Sequence, residues 1–162
     1  MRRAVILGVG NPVLTDDAVG LEVARRAREI LGERPDIVVL ESERGGLDLV
    51  DLLEGAEVAV VVDALLDPGR PAGSVVQVAL DAVGATTHLH GAHGVDLPTA
   101  LALGRRLGTA LPARVRVVGV VVKDALTLGE GLTPAVAAAV EPAARLACTL
   151  AGAALIAPAR GG

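Results

Sequence analysis

Three stretches of this chain, Arg3–Val9, Val58–Asp63 and Val115–Val122, are almost unbroken runs of Val, Ile and Leu. β-Branched residues suit a pleated backbone, and a strand with no polar face has to be covered on both sides. The chain is therefore confined to folds in which a sheet lies between helices. Two weaker runs, Ile37–Glu41 and Ser74–Leu80, complete a predicted set of five strands. Segments of helical period alternate with them, so the expectation is an α/β domain with a largely parallel sheet. The fourth strand follows the third after only Ala64–Gly73, too short for a helical crossover, and is expected to run antiparallel to its neighbour.

The first helix is expected to begin near Thr15–Asp17, where Thr and Asp suit exposed amides and acidic charge suits the helix dipole. Its apolar stripe is Leu21, Ala24, Ala27 and Leu31. A short helix is predicted at Leu47–Leu53. Asp96 and Pro98 open a third that runs to about Leu107. Thr133-Pro134 opens the last, which runs to about Ala153 with a kink expected at Pro142. A chain of 162 residues with no repeat or linker suits one domain, 1–156, with residues 157–162 expected to be a disordered tail.

Composition removes several function classes. Phe, Tyr and Trp are all absent and the formal charge is −4, so the stacking platforms and basic groove that bind single-stranded nucleic acid are missing. Nucleic acid is excluded as a partner. The single Cys148 permits neither an internal disulfide nor a cysteine-rich metal knuckle, and its helical context reads as core. The apolar run Ala4–Leu7 stops at Gly8 with no cleavage-site pattern, so no signal peptide is expected. No segment reads as long and apolar enough to span a bilayer, so no membrane insertion is expected and the cytoplasm is the default location.

Chemistry is concentrated in three places. The first is Gly8-Val9-Gly10-Asn11-Pro12-Val13-Leu14-Thr15-Asp16-Asp17-Ala18-Val19-Gly20, between strand one and helix one. It is not a dinucleotide fingerprint. Val13 stands at the third glycine position, and Asp16 and Asp17 place negative charge where a pyrophosphate would meet the helix. A cation suits that position better. The second place is Asp63, closing Val60-Val61-Val62 at the carboxyl end of a buried strand, where open α/β sheets bind their ligands. The third is His88-Leu89-His90-Gly91-Ala92-His93-Gly94, which holds all three histidines just before a helix. Imidazole with two carboxylates suits nickel or zinc. His93, beside the helix start, is the candidate ligand. His88 and His90 read as loop residues, with auxiliary ligation as the lesser alternative, and Asp16, Glu41 and Glu43 read as caps or surface charge.

Gly8 to Gly20, Asp63 in Val-Val-Asp-Ala, His93 ahead of Leu97 and Leu101, and Gly131-Leu132-Thr133-Pro134 with Val136 occur in an order that resembles the [NiFe]-hydrogenase maturation protease family. The resemblance runs over nearly the whole chain. It implies a three-layer α/β/α sandwich, phosphorylase/hydrolase-like, around a five-stranded, mostly parallel sheet with one antiparallel strand. It also implies an endopeptidase that removes the C-terminal extension of a hydrogenase large-subunit precursor after nickel insertion. Asp17, Asp63 and His93 would then be both the catalytic and the metal-binding residues, and the nickel would arrive with the precursor. Two departures stand out: Asp17 replaces a frequent Glu, and Ser42-Glu43-Arg44 occupies the region where many members carry Gly-Gly-Thr.

Asp17, Asp63 and His93 would leave open positions on a metal, as a functional site requires. Nickel held by precursor thiolates could serve as a recognition signal, or also as a Lewis acid. No Ser or Cys nucleophile is paired with a histidine, which argues against an acyl-enzyme. Three alternatives remain at this level: a metal-free dyad of Asp17 and Asp63, a self-contained zinc hydrolase, and a nickel-dependent binding module or chaperone that grips the precursor without cutting it.

Overall fold

The computed structural model describes residues 3–90 and 95–156. Five strands form one sheet in the order β2-β1-β3-β5-β4: β1 Ala4–Val9, β2 Ile37–Ser42, β3 Val58–Leu66, β4 Val75–Val78 and β5 Arg114–Val122. All neighbours are parallel except β4, which pairs antiparallel with β5 from Val75↔Val120 to Val78↔Val117. Four α-helices flank the sheet: α1 Val19–Leu31, α2 Asp48–Leu53, α3 Leu97–Arg106 and α4 Pro134–Ile156. Two 3-10 segments, Thr15–Ala18 and Leu80–Ala85, complete the described elements.

The period of two in the strands divides the apolar runs between two cores. Ile6, Val60, Val62, Val118 and Val120 face α1 and α4, where they meet Val19, Val23, Ala143 and Ala147. Val5, Leu7, Ala59, Val61 and Val117 face α2 and α3, where they meet Leu49, Leu53, Leu97 and Leu101. Full burial of one Val or Leu contributes about 1.5–3 kcal/mol, so the doubly covered strands carry much of the stability without any aromatic ring. Small residues let the layers approach. A Cβ on Gly8 would lie 2.1 Å from the Gly20 carbonyl oxygen, so the two glycines let α1 cross directly over β1. Their role is packing, not phosphate binding.

Several boundaries differ from the sequence expectation. β3 continues three residues beyond Asp63 because β5 offers pairing partners as far as Leu66↔Val122. Asp63 is thus inside a strand. The first helix is preceded by its own 3-10 turn, and neither that turn nor α1 has a side-chain cap bond at its start. α4 continues through Pro142 and extends to Ile156. It also overturns the expectation about bilayer length: by length and composition, Pro134–Ile156 is long and apolar enough to cross a membrane, with a mean hydropathy of 1.4. Its Ala139, Ala143, Ala144, Ala147 and Ala151 are committed to the core, and Glu141 is ion-paired with Arg26 of α1 and with Arg145. The predicted tail, 157–162, lies outside the described residues.

Candidate active site

The chain leaves β1 through a turn in which the Asn11 side chain accepts a hydrogen bond from the Val13 amide at 3.1 Å. Thr15 takes a positive φ of 27°, and its hydroxyl donates to the Thr127 carbonyl at 3.2 Å. This pins the 3-10 turn to the loop after β5. The two aspartates of the turn are both buried, yet they face different partners. Asp16 accepts from the Thr133 amide and the Thr133 hydroxyl, each at 2.7 Å. It therefore ties the first 3-10 turn to the start of α4, and it is neither a cap of its own helix nor a surface charge. Asp17, 2% exposed, faces the sheet.

Asp63 is fully buried on β3 and is the most heavily bonded carboxylate in the described structure. One oxygen accepts from the Ala64 amide at 2.9 Å, the Thr87 hydroxyl at 3.0 Å and His88 Nδ1 at 2.8 Å. The other accepts from the amides of His88 at 2.7 Å and Leu89 at 3.2 Å. The segment Thr87–Leu89 is wrapped around this side chain, and the Thr87 amide donates to Ala64 on the same strand. His88 is thereby held with its far nitrogen, Nε2, 3.2 Å from Asp17 Oδ2. The loop after β2 supports this arrangement from outside: a Cβ on Gly45 would lie 2.1 Å from the His88 carbonyl oxygen, so only glycine fits there.

Burial by itself opposes charge on His88, but hydrogen bonds to Asp17 and Asp63 and the two negative charges outweigh it, pushing its pKa from 6.5 up to about 10. One imidazolium between two carboxylates leaves a formal charge of −1. In addition, Asp17 Oδ1 is buried without a hydrogen-bond partner among the described residues. An unsatisfied buried carboxylate oxygen is costly unless a cation or donor meets it. The residues present therefore fit a divalent cation. Among the described residues, no three His, Cys, Asp or Glu side chains form a metal-holding group.

These side chains open into a cleft of about 630 Å³ whose lining includes Asn11, Leu14, Asp17, Leu66, His88 and Leu126. The cleft lies outside the carboxyl ends of β1 and β3, with β2 and β5 on their outer sides. That is where the strand order reverses and where open α/β sheets bind ligands. Exposed Leu126 at the rim, with Leu66, makes one wall apolar. His90 is exposed and also lines the cleft. Cys148 packs on α1, its Sγ 3.8 Å from the Ala27 carbonyl, and burial pushes its pKa up, so it is no nucleophile.

Of the three side chains singled out from sequence, Asp17 lines the cleft and Asp63 is buried behind it, the two being joined through His88. His93 lies outside the described residues. The histidine found between the aspartates is His88, which sequence reasoning treated as a loop residue. Thr87 and Thr133 were not singled out for the site at all. A usable signal for the first pair existed in Thr86-Thr87-His88, a polar cluster directly after the 3-10 segment. Glu41 is a surface charge paired with Arg25 and Arg28, as expected, and Arg44 is exposed.

Residues 21–150 match the family model described as hydrogenase maturation protease. The chain belongs to the hydrogenase maturation protease family. It is 32% identical over 145 residues to the hydrogenase 2 maturation protease of Escherichia coli K12, covering 87% of this chain and 85% of that protein. Its fold is similar to the hydrogenase maturating endopeptidase HybD from E. coli, with a TM-score of 0.72 and 26% identity over 89% of this chain and 88% of that one. It is also similar to the [NiFe] hydrogenase maturation protease HybD from Thermococcus kodakarensis, with a TM-score of 0.68 and 29% identity over 92% and 99% of the two chains. The mixed sheet and its flanking helices are those of this family, and the chain is a peptide-bond hydrolase.

Proposed function

We propose that this enzyme removes the C-terminal extension from the precursor of a [NiFe]-hydrogenase large subunit once nickel is in place. Asp17, Asp63 and His93 are the carboxylate/carboxylate/histidine set that engages the nickel, which belongs to the precursor and is held there by thiolates. The observation that supports this best is the buried oxygen of Asp17, without a partner among the described residues, in the lining of an open cleft. A half-built cation site suits a metal that arrives with ligands of its own, because the remaining positions are filled from the substrate. Nickel then supplies recognition, and Lewis-acid polarisation of the scissile carbonyl is compatible with the same contact.

The chain's own residues do the positioning. Asp17 holds negative charge toward the nickel, Asp63 fixes the segment that walls the cleft, and Leu66 and Leu126 offer apolar surface to the extension. The one hydroxyl beside His88 among the described residues, that of Thr87, is engaged by Asp63, and no Ser or Cys of the described residues is paired with His88, so the reading is attack by water without an acyl-enzyme. The single cysteine and the absence of a disulfide fit a cytoplasmic setting.

The test is the mass of a nickel-loaded large-subunit precursor after incubation with wild type, Asp17→Asn, Asp63→Asn and His93→Ala. The wild type is expected to shorten it from the C-terminus, and each variant to be severely slowed. Cutting by all three variants at the wild-type rate would reject the site. Stoichiometric zinc together with peptidase activity on unrelated substrates would instead favour a self-contained zinc hydrolase.

A further inference from the structure

On the reading that this enzyme shortens a large-subunit precursor, we propose that an extended apolar segment of that precursor docks as an added strand along residues 126–129, at the mouth of the cleft. Leu126 and Leu128 are then specificity-determining residues, and the Leu128 peptide group is the main-chain contact.

Apolar surface is left open at one end of the sheet. Eight large hydrophobic residues are exposed among the described residues, and four of them, Val13, Leu66, Leu126 and Leu128, sit at or just after the carboxyl ends of β1, β3 and β5. Leu126 is 83% exposed and Leu128 76%. Single exposed leucines are ordinary, but a group of them beside a cleft marks a binding face. A peptide hydrolase has to hold a polypeptide at that cleft, which commits the face to one occupant.

The two leucines are also held in place before any substrate arrives. The Asp124 carboxylate accepts from the amides of Leu126 at 2.7 Å and Thr127 at 3.1 Å, and from the Thr127 hydroxyl. The Thr127 carbonyl accepts from the Thr15 hydroxyl. Gly129 donates to the Val13 carbonyl at 3.0 Å and accepts from the Thr15 amide at 3.1 Å. A loop fixed at both ends has little ordering left to do on binding.

The outer edge of this loop is free. Gly129 bridges Leu14 in the parallel sense, with its amide and carbonyl both turned toward residues 13–15. Alternation along an extended chain turns those of Leu128 the other way. Neither has a hydrogen-bond partner among the described residues. Strand addition uses such an edge: main-chain bonds hold the peptide and alternate side chains select it. Leu126 and Leu128, two residues apart, supply the alternate pair.

The experiment measures cleavage of nickel-loaded precursor by wild type, Leu126→Asn, Leu128→Asn and the double variant. Leu107→Asn, at a position 76% exposed at the end of α3, is the control. All are surface changes, so the fold is retained. KM is expected to rise on the order of 10-fold per leucine while kcat stays within about 2-fold, because the lost contact serves bound substrate and transition state alike. Leu107→Asn is expected to match wild type. In hydrogen exchange of wild type with excess precursor, the Leu128 amide is expected to slow on the order of 10-fold, with little change at the already bonded Gly129 amide. Wild-type KM in the double variant, an equal loss in Leu107→Asn, or unchanged exchange at Leu128 would each overturn the proposal. A wild type that leaves the precursor uncut but slows at Leu128 would reject the proposed function and leave the docking strand standing. Normal cutting with unchanged exchange and KM would do the reverse.

Discussion

The turn after β1 and the middle of β3 each carry a buried carboxylate, and the two are built in opposite ways. Asp63 is surrounded by donors from its own strand and from the segment 87–89. Asp17, 2% exposed, has one contact to His88 and one oxygen with no partner among the described residues. A buried polar group is tolerated when paired and costly when not, so Asp63 also organises the segment around it, whereas Asp17 keeps an oxygen open among the described residues. Asp16 extends the lesson. It is next to Asp17 in sequence and nearly as buried, but both its oxygens are satisfied by Thr133, so it belongs with Asp63.

The largest test of this comparison is stability. Asp63→Asn turns an amide group toward several donors and is expected to cost on the order of 3–5 kcal/mol, whereas Asp17→Asn should cost about 1–2 kcal/mol. Equal losses in denaturant titration would erase the distinction. The activity ranking runs the other way for Asp17: its Asn variant should stay folded and lose at least on the order of 10²-fold in precursor cleavage, because the reacting bond is no longer placed. A folded variant that cuts normally breaks the assignment.

The shared histidine sharpens the comparison through pH. His88 has a folded pKa raised from 6.5 to about 10, so the folded state holds its proton more tightly than the unfolded chain. The stability contributed by the imidazolium is complete below about pH 6.5 and is lost as pH rises through about 10. The melting-temperature gap between wild type and His88→Gln should therefore narrow across that window. A gap independent of pH would mean that the two carboxylates do not hold a charged ring. The smallest expected effect is at Asp16. Asp16→Ala removes the side chain that receives the Thr133 amide and should cost about 1–2 kcal/mol, as for loss of a helix cap. A double-mutant cycle with Thr133→Val should show that the two losses are not additive.

Much of this architecture was legible in the chain. The Val-rich runs specified doubly covered strands, Asp96 and Pro98 marked the start of α3, and the short Ala64–Gly73 connection required one antiparallel strand. Asp96 indeed accepts from the Thr99 amide at 2.8 Å, and β4 does run against β5. The site was legible only in part. Asp17 and Asp63 could be singled out because acidic residues at strand exits in an open sheet have few structural reasons to be there. Local spacing also pointed to His93, beside the helix start, and treated His88 as solvated. His93 lies outside the described residues, and the reading of His88 failed for a physical reason: what makes His88 buried is the wrapping of residues 87–89 around Asp63, 24 to 26 residues earlier in the chain.

The sequence by itself determined the layers, the strand directions and the two carboxylates that could meet at a sheet end. These depend on hydrophobic period, chain length between elements and residue chemistry, all of which are local. Only the tertiary structure decided, among the described residues, which aspartate is satisfied, which is left open, and that His88 lies between them. Those properties depend on donors brought from distant segments, and hydrogen-bond satisfaction cannot be counted until the chain has folded back on itself.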